Sequence, residues 1–242
     1  MRKDIPESLT LEQAIAFALQ ENTDIKTQEQ VIKTAEAQYI QVRSYALPQV
    51  NLTIQPEHQD NSNTSSSSSF KIEEKYPVTI DISQPVYSFG KLTHAMDASK
   101  YYIESQKTQL ELTRQSIAYQ VSSAFYAVLL QKELVTVNEE SLKTAEDHLR
   151  VAQLRFEQGV NTQFDVTRAK VDVANRRPEL ISARNELIKA RQNLNQLFNL
   201  PPNTRIRLSD ELDFKEYSPH MEKSWKLAKE NRPDLKSQKL VV

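Results

Sequence analysis

Cysteine is absent from the 242 residues, and glycine occurs only twice, at Gly90 and Gly159. Without cysteine there is no disulfide framework, no thiolate metal site and no cysteine-borne lipid anchor on this chain, a pattern that fits an exported protein without disulfides. Two glycines cannot build a phosphate-cradling loop. No apolar run approaches the roughly 18 residues that a membrane-spanning helix needs. Apolar residues make up only 38% of the chain, against roughly 45–50% in an average globular domain, and the mean hydropathy is −0.61. A chain this polar is suited to long helices that bury a stripe, not to a deep core. Charge of neither sign dominates: 31 basic residues face 32 acidic ones, spread throughout. That leaves no basic patch and no case for nucleic acid. The opening "MRKDIPESLTLEQAI" lacks the apolar centre of a signal peptide, so we expect a targeting segment to have been removed or further residues to precede it. His58, His94, His148 and His220 fall in different elements without metal-ligand spacing, and no nucleophile motif accompanies them. Glu57, His58 and Asp60 beside the serine tract read as a solvated loop. The expectation is a protein that is not an enzyme and has no cofactor and no metal.

Periodicity is what the chain does have. Leu9 to Gln20 reads as a first helix with Thr10 as its N-cap, "ENTD" interrupts it, and a second helix runs from about Asp24 to Tyr45 before Pro48. From Gln49 the period changes to two. Val50, Leu52 and Ile54 alternate with Gln49, Asn51 and Thr53; Val78, Ile80 and Ile82 alternate with Thr79, Asp81 and Ser83. Two such segments joined by the tract "DNSNTSSSSSF" predict a β-hairpin with a solvent-exposed tip. Lys91 to about Glu157 contains no proline or glycine, which allows one helix of about 100 Å at about 1.5 Å per residue. Val121, Val128, Val135, Leu142, Leu149 and Phe156 recur every seven residues. A second row, Ile103, Leu110, Ile117, Ala124, Gln131, Asn138, Ala145 and Ala152, lies three or four away, as in a coiled coil. After Gly159 the sevens resume with Val166, Val173, Leu180, Leu187 and Leu194. This returning helix should stop at Pro201 and Pro202 and kink near Ala174, because Pro178 removes a hydrogen bond there. It is about half the length of its partner, so the earlier helix is placed to cover the remainder. Gly159 then reverses the chain with a positive φ.

The end of the chain repeats its beginning at a shift of 210 residues. "LEQAIAFALQENTDIKTQEQVI" lies over "MEKSWKLAKENRPDLKSQKLVV", with Ala18 on Ala228, Asp24 on Asp234, Lys26 on Lys236 and Gln28 on Gln238. A second copy therefore begins near Met221 and is cut mid-helix at Val242, from which we expect a fragment of a longer chain.

Five segments in order resemble the TolC-type outer membrane efflux family: "SLTLEQAIAFALQEN", "SYALPQVNL", "ISQPVYSFGKL", the tip "RFEQGVNTQFDV" and "TRAKVDVANRR". The tip pattern is carried by Arg155, Phe156, Gly159, Thr162, Asp165 and Val166. The resemblance implies a mainly α fold with a β-hairpin. Its long antiparallel coiled-coil helices form a periplasmic tunnel, and its hairpin adds strands to a trimeric outer-membrane barrel. The expected organisation is N-terminal helices over 1–47, the barrel hairpin over 48–88, the long helical hairpin over 89–200 with its tip at 157–162, and a linker with the first helices of a second repeat over 201–242. It further implies an exit duct in the outer membrane of a Gram-negative bacterium. This duct would work passively within a tripartite efflux or type I secretion system, as a homotrimer meeting a periplasmic adaptor, an inner-membrane transporter and outer-membrane lipid.

Val50, Leu52, Ile54, Val78, Ile80 and Ile82 would face lipid, with Phe70, Tyr76 and Tyr87 as interfacial rings. Arg155, Gly159, Val160, Asn161, Thr162 and Asp165 would dock the adaptor, although Thr162 and Asp165 have an equal claim as helix caps. The rival is a soluble coiled-coil scaffold, which would need no strand pair between its helices.

Overall fold

The computed structural model describes residues 8–55, 57–59, 73–213 and 216–241. Phe70, Asp60 and the serine tract lie outside them. In chain order the elements are β1 (Ser8–Leu9), α1 (Leu11–Glu21), α2 (Thr23–Ser44), β2 (Gln49–Ile54), β3 (Glu57–Gln59), β4 (Glu73–Lys75), β5 (Val78–Ser83), α3 (Lys91–Glu157), α4 (Gln163–Leu197), β6 (Arg207–Leu208), α5 (Met221–Asn231) and α6 (Pro233–Val241). The chain forms two compact units, residues 1–30 with 108–236 and residues 31–107 with 237–242.

The first unit carries the apolar core. α1 buries Ala14 and Ala18, α3 buries Ile117, Val121, Ala124, Phe125, Val128 and Leu129, and α4 adds Leu194 with Phe198 just past its end. Small residues on α1 let it approach closely, while Phe125 and Phe198, both fully buried, supply the volume. The Phe17 ring meets Phe198 edge-on at 5.4 Å, a favoured aromatic geometry. The seven-residue row of α4 is the buried face: Val166, Val173, Leu180 and Leu194 are all covered, as period and packing together require. On α3 the row is covered at Val121 and Val128, but Phe156 near the turn is 41% exposed. Asn138 turns back to its own helix, donating to the Leu134 carbonyl at 2.7 Å, and so does not bridge the helices.

Helix ends are set by caps. Thr10 and Gln13 form a capping box at the start of α1, and Asp210 Oδ2 accepts the Leu11 N–H at 2.7 Å. Buried Asn22 ends α1 and starts α2: its Oδ1 accepts from the Asp24 N–H at 2.8 Å and its Nδ2 donates to the Leu197 carbonyl at 2.9 Å. α4 runs unbroken through Pro178: a lost bond at an exposed position does not by itself end a helix held along its other face. It ends before the prolines are reached. Asn199 takes φ 53°, and the Leu200 N–H returns to the Asn195 carbonyl at 2.9 Å, which closes the last turn in the Schellman manner. Asn195, buried, then fastens the following loop by donating to the carbonyls of Pro202 and Thr204. β1 and β6 pair in parallel nearby.

The 210-residue repeat keeps its main-chain bonds at the helix corner. α5 has the 11 residues of α1. The Asn22 N–H reaches the Ala18 carbonyl at 2.9 Å, and the Arg232 N–H reaches Ala228 at 3.0 Å. The Lys26 N–H to Asn22 and the Lys236 N–H to Arg232 follow at 3.3 and 3.4 Å. In the second unit, Ser105 of α3 is buried and its hydroxyl pairs with that of Ser237 at 2.9 Å.

Candidate functional site

Two places stand out, the turn between α3 and α4 and the strand pair. At the turn, Gly159 has φ 74°, a conformation that costs other residues a Cβ clash. It lets the Gly159 N–H return to the Phe156 carbonyl at 2.9 Å and the Val160 N–H to that of Arg155 at 2.9 Å, satisfying carbonyls that the helix end would otherwise orphan. Asn161 also donates to the Arg155 carbonyl. Thr162 then caps α4. Its N–H and its hydroxyl both donate to Asp165 Oδ2 at 2.8 Å, and the Asp165 N–H donates back to Thr162 Oγ1 at 3.4 Å. These bonds, the backbone one foremost, hold the Asp165 carboxyl below the usual carboxylate range. Thr162 and Asp165 are thus committed to each other. What the turn presents outward is Arg155, Val160 at 70% exposure and Phe164 at 72%. Sequence reasoning missed Phe164; its apolar ring in the first turn of a capped helix, off the seven-residue row, was the available signal.

Behind the turn, α3 and α4 are joined by ion pairs at seven-residue spacing, Glu139 with Arg184 at 2.7 Å and Glu146 with Arg177 at 3.4 Å. An open groove of about 590 Å³ between the helices is lined by Ala145, Ala152 and Ala169, with His148, Arg168 and Asp172 at its rim.

In the strand pair, β2 and β5 are antiparallel with Val50 opposite Ile82, Leu52 opposite Ile80 and Ile54 opposite Val78. These six side chains lie on one face and are 58–71% exposed. The other face pairs Gln49 with Ser83, Asn51 with Asp81 and Thr53 with Thr79. β3 and β4 continue the ribbon without a slip, since Glu57 opposite Lys75 keeps the same pairing offset. The arms thus comprise β2 with β3 and β4 with β5, nine strand residues each; Pro77, between β4 and β5, has no N–H for the ladder. Tyr76 and Tyr87 are exposed, and Tyr87 meets Phe89 edge-on at 4.7 Å. Among the described residues no helix is long and apolar enough to cross a membrane, and no group of three His, Cys, Asp or Glu residues is placed to hold a metal.

A ribbon with one bare apolar face, set between α2 and a 67-residue helix, is an uncommon combination, and the family comparison settles which fold carries it. Residues 14–200 match the model of the outer membrane efflux proteins. The chain belongs to the outer membrane efflux protein family. Solved structures of such channels share the fold. The Campylobacter jejuni outer membrane channel CmeC matches with a TM-score of 0.78 and 17% identity, over 96% of this chain and 50% of its own. The outer-membrane channel OprN gives 0.76 and 17%, over 96% and 52%. The open-state channel MtrE of Neisseria gonorrhoeae gives 0.73 and 20%, over 96% and 51%. No curated protein sequence gives a match. The chain spans about half the length of the efflux channels it matches. Its fold is the mainly helical TolC-like one with a β-hairpin.

Proposed function

We propose that the protein forms the exit duct of a tripartite efflux or type I secretion system in the outer membrane of a Gram-negative bacterium. It acts as a homotrimer, does no chemistry, and passes substrate when an inner-membrane transporter acts on it through a periplasmic adaptor. The bare apolar face of β2–β5 carries this reading. An isolated two-stranded ribbon is at best marginally stable in water, and in lipid every strand edge must be closed by another strand. The nine strand residues of each arm, six and three, suit a tilted membrane strand, which takes about 9–11. Val50, Leu52, Ile54, Val78, Ile80 and Ile82 then face lipid, and Tyr76, next on the same face, stands at the end of the apolar row as a girdle residue would. With a second hairpin from the duplicated half, three protomers supply twelve strands. On this proposal residues 48–88 are the barrel segment, 1–47 and 89–200 the helical tunnel with its tip at 157–162, and 201–242 the entry to the second repeat.

Docking of the adaptor at the tip is part of the same proposal. Arg155, Val160 and Asn161, with Phe164, offer the contact surface; Gly159, Thr162 and Asp165 hold its shape. The groove walled by Ala145, Ala152 and Ala169 gives a helix of the partner room to lie close. Alkaline washing of membranes followed by size analysis in detergent tests the duct. We expect the protein in the washed pellet and a trimer after extraction. A monomer released into the alkaline supernatant refutes the duct and restores the scaffold reading. For the tip, an adaptor cross-link that persists in an Arg155→Glu, Val160→Asp double variant at unchanged expression refutes docking.

A further inference from the structure

We propose that Asp81 is a selectivity residue of the duct, one carboxylate per protomer that favours cations over anions in the barrel lumen. This rests on the barrel reading above. β2 and β5 contribute twelve residues, and Asp81 is the one with a charged side chain. It stands on the polar face opposite Asn51, flanked by Thr79 and Ser83. Its neighbours in sequence, Ile80 and Ile82, belong to the exposed apolar face, so Asp81 sits at the depth of the apolar band. A carboxylate at that depth is tolerated where it meets water and is costly against lipid. The alternation therefore aims it into a wet interior. No basic residue of β2 or β5 shares its face. Rings of acidic side chains are a known device for cation preference in pores.

Geometry sets the size of the effect. Twelve strands at about 4.8 Å spacing and about 40° tilt close at a radius of roughly 12 Å, which leaves the carboxylates roughly 9 Å from the axis. The screening length is about 30 Å at 0.01 M salt and about 3 Å at 1 M. Three such charges then act together across the lumen at low salt and are screened out at high salt. Removing them should change the K⁺/Cl⁻ permeability ratio on the order of tenfold at 0.01 M and less than about twofold at 1 M.

The test is reversal-potential measurement on the full-length channel in planar bilayers, in KCl gradients centred on each salt concentration. Asp81→Asn should lower the cation preference at low salt, Asp81→Lys should lower it further, and Asp81→Glu should keep it. In a full-length channel cleared of any other cysteine, Asp81→Cys can also be modified once the channel is open. A cationic thiol reagent should then reduce cation preference and an anionic one should raise it. An unchanged ratio at 0.01 M in every variant, with channels conducting, overturns the assignment alone. A failure of the aqueous reagents to reach Asp81→Cys while they reach Leu52→Cys reverses the facing and also overturns it. If the wild-type protein gives no conductance at all, the barrel reading falls and this inference falls with it.

Discussion

Replacing Gly159 separates chain reversal from docking, because the structure makes the cost of each substitution calculable. Gly159 has φ 74° and no heavy atom within 4 Å of where a Cβ would stand. An added methyl group meets nothing, so Gly159→Ala should cost the backbone penalty alone, about 1–2 kcal/mol. Gly159→Asn should cost less, since asparagine enters the left-handed region more readily. Gly159→Val should cost more than alanine, because β-branching crowds that region further. The bonds at risk are the Gly159 N–H to Phe156 and the Val160 and Asn161 N–H groups to Arg155. Amide hydrogen exchange at those three positions is therefore the assay. A loss of about 1–2 kcal/mol corresponds to opening roughly 5- to 30-fold more often, at about 1.4 kcal/mol per factor of ten. The expected order of protection is Gly, Asn, Ala, Val. Equal protection in the glycine and alanine proteins would refute the strain argument. A cost far above 2 kcal/mol for alanine would mean that the turn carries contacts absent from this structure. Adaptor cross-linking should follow the same order if Gly159 acts by shaping the tip.

Three further outcomes are expected. Double-mutant cycles on Glu139 with Arg184 and on Glu146 with Arg177 should each return a coupling of about 0.2–1 kcal/mol that fades with added salt, since these pairs are exposed; denaturation midpoints measure it, and coupling unchanged at 1 M salt would contradict exposure. Asp165 is held below its ordinary range in the folded chain, so its stabilisation is fully present above about pH 4 and is lost as pH falls through the lowered value. Tip amide exchange in wild type and Asp165→Asn should differ at neutral pH and converge in acid. Asn22→Ala removes the partner of the Leu197 carbonyl and the cap of α2; a loss of about 1–3 kcal/mol is expected, and a neutral result in thermal unfolding would show that water replaces the amide.

The long elements were legible because their signals are local and repeated. Lys91 to Glu157 could be bounded by what it lacks, and the sevens of α4 named its buried face before any partner was known. The hairpin followed from alternation alone, and Gly159 from its scarcity. Long-range detail did not follow. β1 and β6 are two residues each and pair across about two hundred positions, and no local pattern announces so short a bridge. β3 and β4 escaped because Glu57–Gln59 and Glu73–Lys75 have no apolar alternation; their register is inherited from β2 and β5. Seven-residue spacing identified the faces of α3 and α4 but not their offset, which the rungs at Glu139–Arg184 and Glu146–Arg177 reveal. At the tip, the pairing of Thr162 with Asp165 could be read, whereas the exposure of Phe164 depended on which way the helix turned.

The bend between α1 and α2 has a further consequence through its twin at Arg232. In both copies the same main-chain bond turns the corner, the Asn22 N–H to Ala18 and the Arg232 N–H to Ala228, which leaves the side chain at its apex free to differ. Asn22 uses that freedom to clasp a neighbouring helix, while Arg232 closes on Asp234, two residues ahead on its own strand of chain. One elbow shape thus carries two different side-chain attachments, one to a distant helix and one within its own turn.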